Sequence, residues 1–199
     1  NDPGSVSNGF AETVDVFGFN YKPNMYAGFR KQHPDKPVYA SETNSCVATR
    51  DTYFFPLRWD VGGGARNFQV SSYGLFAPGW GTSPDIEMYA LDQNPHVAGE
   101  YVWTGFDYIG EPTPYNQDAS NSGNFHGASE AEKKAAMEQL RKMGNRAPSR
   151  SSYFGISDLA GFPKDTYYLY RSHWAPEKKT CHILPHWNWP ERLGQKTPV

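Results

Sequence analysis

The chain has 199 residues, enough for one domain with a real core, and its formal charge of −2 provides no basic stripe to neutralise nucleic-acid phosphates. No run of ~18 apolar residues is present, so no segment reads as a membrane-spanning helix. The aromatic content of 16%, with six Trp and thirteen Tyr, suits either a large core or a carbohydrate-facing surface, and Cys46 and Cys181 lack metal-ligand spacing and read as free thiols.

Residues 1–9 are polar and rich in Gly, Pro and Ser, as a loop would be; they begin Asn1-Asp2-Pro3-Gly4 without an initiating Met, a basic start or an apolar stretch, so the sequence reads as an excerpt. The β-prone run Val14 to Tyr21 predicts a buried strand. A helical segment follows over Asn24 to Gln32, ended by His33-Pro34, and a second strand runs from Pro37 to Glu42. Strand, helix, strand with short connections implies parallel strands and a right-handed crossover. Between Asp51 and Gln93 the Gly62-Gly63-Gly64 run and Pro78-Gly79-Trp80-Gly81 break the pattern, with a hint of helix over Ile86 to Leu91.

A third strand is expected over 97–104, running into a Gly/Pro-rich loop through Pro114, and 118–128 are polar and read as exposed. The clearest helix comes next. Ser129 with Glu132 forms a capping box, Ala136, Leu140 and Met143 make an apolar stripe, Glu130–Lys134 and Glu138–Lys142 are spaced as pairs, and Gly144 stops the helix. Ser151 to Leu159 reads as extended, and Lys164 to Arg171 as a helix leading to Trp174. The stretch from Thr180 to Trp189 alternates like a strand and could open a new β domain.

Chemistry concentrates at Glu42, a carboxylate leaving an apolar strand in a chain that later carries Trp103, Tyr108 and other aromatics. A sugar needs such a pairing: its apolar face stacks on a ring while a carboxylate meets the anomeric carbon. On these residues alone, a surface glutamate at a strand end is the preferred reading.

Several segments, taken together, resemble the catalytic barrel of glycoside hydrolase family two, specifically its β-galactosidases. They are Val16 to Tyr21, Ser41-Glu42-Thr43, Val102 to Tyr115, Gly161 to Asp165, Tyr167 to Arg171 and Leu184 to Trp189, and they span nearly all of 10–190. The resemblance implies an α/β fold, the C-terminal portion of a (β/α)8 TIM barrel with strands six to eight at 14–21, 37–42 and 97–104. Residues 1–178 would then be barrel, with a helical insertion about 128–145, and 179–199 the passage into a following β-sandwich domain. It makes Glu42 the nucleophile of a retaining enzyme and Tyr21 the residue that orients it, with core packing as the alternative for Tyr21. Trp103 would line the sugar subsite or pack in the core. Asn20 and Asn44 are further candidates for substrate contact, with only one of Asn20 and Tyr21 facing the centre. Asp107 would either bind a sugar hydroxyl or hold a neighbouring loop. Lys164 would pair with a rim carboxylate, and His186, Trp187 and Trp189 would either border the site or, as the preferred reading, join two domains.

The implied partner is a β-galactoside oligosaccharide or glycan, with no nucleic acid or membrane partner. An assisting Na⁺ or Mg²⁺, a homo-oligomeric parent, and a periplasmic, secreted or cytoplasmic location stay open. A retaining mechanism also needs an acid/base carboxyl group. The family carries it in an Asn-Glu pair on the fourth strand; no such dipeptide occurs here, so the resemblance places it upstream. A related glucuronidase or mannosidase and a non-catalytic carbohydrate-binding fragment are the competing readings.

Overall fold

The computed structural model describes residues 2–57, 65–115, 129–142 and 151–199. The expected Gly62–Gly64 break, the polar run 118–128 and the Gly144 stop lie outside these residues, as do the side chains of the Ala136–Leu140–Met143 stripe.

The centre is an α/β unit with a three-stranded parallel sheet. Its strands are β1 (Phe17–Asn20), β2 (Val38–Asn44) and β5 (Val97–Trp103), in the order β1-β2-β5. A two-residue hairpin, β3 (Ala65–Arg66) with β4 (Gln69–Val70), stands apart. The helices are α1 (Phe10–Thr13), α2 (Tyr26–Gln32), α3 (Pro84–Gln93), α4 (Glu130–Lys142) and α5 (Asp165–Trp174).

Local chemistry sets most of these boundaries. Helix α2 enters through a 3₁₀ turn at Pro23–Met25 and ends at His33, ahead of Pro34. Helix α3 places Pro84 at its first position, where a missing N–H costs nothing, and Asp85 and Glu87 complement the amino-terminal dipole. At the start of α4 the capping box forms: the Ser129 amide and hydroxyl both donate to the Glu132 carboxylate, at 2.7 and 2.8 Å. In the same turn Lys133 bonds Glu130 at 2.8 Å, a spacing of three.

Alternation along β1 turns Phe17 and Phe19 onto α2, where they meet Tyr26 and Phe29 in a buried cluster with Val38, Ala40 and Val97. Phe17 stacks on Phe29 at 4.7 Å, and Phe19 meets Phe29 edge-on at 5.3 Å. Each such ring contributes about 1.5–3 kcal/mol by burial. A second cluster of Val47, Val70, Phe76, Tyr153 and Phe154 packs beneath the loops that follow β2 and β5.

Residues 151–159 contribute isolated bridges rather than a strand: Ile109 pairs with Ser151, and Phe106 with Ser157. Thr180 to Trp189 form no strand. Their rings pack on the loop after β2, with Trp189 edge-on to Phe55 at 5.3 Å and His186 edge-on to Tyr53 at 5.5 Å. Pro185 and Pro190 interrupt the run, and Tyr73 donates to the Pro198 carbonyl at 2.8 Å. Alternating residues there reflect packing of rings, not pairing of backbone.

Candidate active site

All three parallel strands end at one side of the sheet, and Asn20, Glu42, Asn44 and Trp103 stand at those carboxyl ends, the usual address of a site in such folds. Register aligns them: Asn20 pairs with Glu42, and Asn44 with Trp103. The register shifts between Ala40 and Thr43, so the alternation of β2 is interrupted and both Ser41 and Glu42 are half-buried. A bulge of this kind re-aims a side chain at the strand end.

Tyr21 follows β1 with φ 55°, a left-handed backbone that non-glycine residues adopt at a cost of about 1–2 kcal/mol. Its amide donates to the Glu42 carbonyl at 2.8 Å, and its hydroxyl donates to Glu42 Oε2 at 2.8 Å. Backbone and side chain thus grip the same residue. Burial pushes the Tyr21 phenol above its ordinary value, the Ser45 hydroxyl pulls it down, and Glu42 raises it further. It remains a donor at all ordinary pH. Ser45 Oγ lies 2.9 Å from the phenol oxygen. Asn20 turns to the neighbouring residue, with the Ser41 hydroxyl donating to Asn20 Oδ1 at 2.6 Å.

Trp103 closes β5, followed by a cis peptide to Thr104. Its indole N–H donates to the Tyr108 oxygen at 3.2 Å, and Tyr108 in turn donates to Glu111. Trp103 also lines a cleft of about 550 Å³ with Tyr39, Ser41, Tyr101, Val102 and Thr104. Ser41 brings that cleft to the residue beside Glu42, although Glu42 is not in its lining.

Asn44 and Asp107 are turned inward. Asn44 is buried with φ 68°, and its Oδ1 accepts from the Cys46 amide at 3.1 Å, closing a turn. Asp107 is buried against Lys164 at 2.6 Å and accepts from Ser152 at 3.1 Å and from the Gly155 amide at 2.8 Å. Burial pushes its carboxyl up and the Lys164 ammonium down, each opposed by the other's charge. These contacts favour the loop-holding reading of Asp107 over sugar contact. Lys164 also donates to the Ala48 carbonyl at 2.7 Å and so ties three loops together.

Ser41, Ser45 and Tyr108 were not expected from the sequence. Ser41 and Ser45 act through partners more than twenty residues away on the neighbouring strand end, which no local spacing signals, whereas Tyr108 bridges Trp103 and Glu111 within its own stretch of chain. Cys46 and Cys181 are both free, and burial pushes the Cys46 thiol up to about 12. Among the described residues no group of three or more His, Cys, Asp or Glu is placed to hold a metal ion, and no helix is long and apolar enough to cross a membrane.

No family model matches the chain. Among curated proteins, Beta-galactosidase BoGH2A of Bacteroides ovatus is 40% identical over 202 residues, covering 95% of this chain and 20% of that protein. A Formosa agariphila protein provisionally named a beta-glucuronidase is 35% identical over 110 residues, 55% of this chain and 8% of its own length. Among solved structures, a beta-glycosidase from Bacteroides vulgatus superposes with a TM-score of 0.59 at 24% identity, over 94% of this chain and 24% of that one. The chain thus spans about a fifth of the length of the first of these relatives. At 40% identity over 95% of its length, the chain is similar to a segment of a beta-galactosidase of glycoside hydrolase family two, the family its sequence resembles.

Proposed function

We propose that this segment carries the nucleophile side of a retaining β-galactosidase that removes terminal non-reducing β-D-galactose. The observation that carries the reading is the Tyr21–Glu42 bond at the carboxyl ends of the sheet. Tyr21 holds Oε2, which leaves Oε1 to attack the anomeric carbon. A bond forms from Oε1 to that carbon as the bond to the leaving oxygen breaks, and the oxygen takes a proton from a second carboxyl group. The same group then draws a proton from water, which opens the glycosyl ester and frees Glu42. Trp103, fixed through Tyr108, supplies the ring on which galactose packs, with Asn20 at the margin.

In this reading β1, β2 and β5 are strands six, seven and eight of a (β/α)8 barrel, residues 1–178 are barrel with an insertion about 128–145, and 179–199 lead toward a β-sandwich. A barrel takes ~250 residues, and the second carboxyl group, ~5–5.5 Å from the first in retaining enzymes, comes from another part of the polypeptide. The substrate is a β-galactoside oligosaccharide or glycan.

Glucuronidase activity is the second reading, favoured by the 35% match to the Formosa protein. Against it, Arg50 is held by Asp51 at 2.8 Å and Asp158 at 2.7 Å rather than left for a sugar carboxylate.

The test is a burst assay with 2,4-dinitrophenyl β-galactoside, whose leaving group departs without an acid catalyst. A stoichiometric burst that disappears in Glu42→Gln is expected. A burst retained in that variant would overturn the assignment, and a burst with the glucuronide alone would select the second reading.

A further inference from the structure

Ser45 has no role in the mechanism as written, yet it is fully buried and its hydroxyl meets the oxygen that holds Glu42. Proton accounting fixes the direction of that bond. Tyr21 has one hydroxyl proton and gives it to the Glu42 carboxylate, which can only accept. Ser45 is therefore the donor, at 2.9 Å, and the chain runs Ser45 to Tyr21 to Glu42. A phenol that accepts one hydrogen bond donates the next more strongly.

The backbone around Ser45 is built at some cost. Asn44 and Ser45 both have left-handed φ values, 68° and 59°, at about 1–2 kcal/mol each. Three contacts sustain them: the Asn44 side chain on the Cys46 amide, the Thr82 amide donating to the Asn44 carbonyl at 2.8 Å, and Gly81 beneath the turn. A Cβ on Gly81 would stand 2.6 Å from the Asn44 oxygen and 3.1 Å from the Ser45 Cβ. A turn held against its own preference, with its side chain on the Tyr21 oxygen, is a feature from which a role can be argued.

We infer that Ser45 is a positioning residue: through Tyr21 it sets the aim and the hydrogen-bond strength with which Glu42 is presented to the anomeric carbon. This rests on the assignment of Glu42 as nucleophile.

The informative variant is Ser45→Gly, which removes the hydroxyl while suiting the left-handed backbone, so that folding is spared. In the polypeptide carrying this segment, with 2,4-dinitrophenyl β-galactoside as probe, the glycosylation rate should fall about three- to tenfold with KM little changed. In a Tyr21→Phe background Ser45→Gly should have no further effect. A wild-type rate in Ser45→Gly, or an equal loss in both backgrounds, overturns the inference while leaving Glu42 in place. A wild-type rate in Glu42→Gln instead overturns the nucleophile assignment and the inference with it. Independently of activity, the Tyr21 ring ¹³Cζ resonance, assigned by its disappearance in Tyr21→Phe, should move in Ser45→Gly; an unmoved resonance overturns the inference as well.

Discussion

The molecule contains two tyrosine–glutamate pairs built on the same elements of chemistry and placed in opposite surroundings. Tyr21 donates to Glu42 at the open end of the sheet, and Tyr26 donates to Glu87 between α2 and α3. At the first pair Glu42 is half-buried, and Ser45 feeds the phenol from behind. At the second, Glu87 is fully buried, its Oε2 has no hydrogen-bond partner among the described residues, and burial pushes its carboxyl up to about 7, with the Tyr26 bond pulling it down. Glu100, nearby on β5, adds negative charge and is itself engaged by Thr43 at 2.7 Å and Trp174 at 3.1 Å. A phenol on a carboxylate is thus not a signature of catalysis. Access at a strand end and a supporting donor distinguish the first pair, and desolvation distinguishes the second.

Removing the carboxylates separates the pairs most sharply. Glu42→Gln should lower turnover by at least ~10³-fold with little change in melting temperature, while Glu87→Gln should leave turnover nearly intact. Equal losses in both would collapse the distinction. A third carboxylate, Asp107, marks the structural extreme. Asp107→Asn strands the buried Lys164 charge and should cost about 3–5 kcal/mol in denaturant unfolding. A loss below ~1 kcal/mol would mean that the pair is already largely neutral.

The Glu87 pair should also be visible in stability against pH. Its folded value of about 7 lies above its ordinary 4.5, so the folded state binds the extra proton. Stability from this group is full below about 4.5, declines through the interval up to about 7, and is then lost, on the order of 3 kcal/mol. Glu87→Gln should flatten that slope in urea midpoints taken from pH 5 to 8; an unchanged slope would assign it elsewhere. The smallest effects come from the phenols. Tyr26→Phe leaves a buried carboxylate oxygen unpaired and should cost about 1–3 kcal/mol of stability without a rate effect. Tyr21→Phe should slow glycosylation about tenfold, near 1.4 kcal/mol, with stability nearly constant. Calorimetry and burst kinetics on both variants check the contrast.

What the sequence disclosed follows the range of the interaction involved. The core strands and α5 are legible because Phe17 and Phe19, or Tyr167 to Tyr170, carry their pattern within a few residues. The capping box of α4 is legible because Ser129 and Glu132 are neighbours along the chain. Tyr21 and Glu42 are suggested by resemblance, but nothing local announces that Ser45 completes them, since the contact joins the ends of two strands. Asp107 stays ambiguous in sequence because Lys164 reaches it only after the chain has folded back. The strand expected at 180–189 fails for the complementary reason: alternation is a local signal, and a strand needs a pairing edge that this segment does not meet among the described residues.

Gly81 ties two separate stretches of chain to one fate. Because any side chain there would press on the Asn44 carbonyl, drift at 44 and 45 is constrained by a residue in a different loop. In a library randomised at position 81 alone, active survivors should retain glycine, and relaxation of that demand should require replacement of the turn as well. The strand end and the loop beneath it should therefore accept change only together.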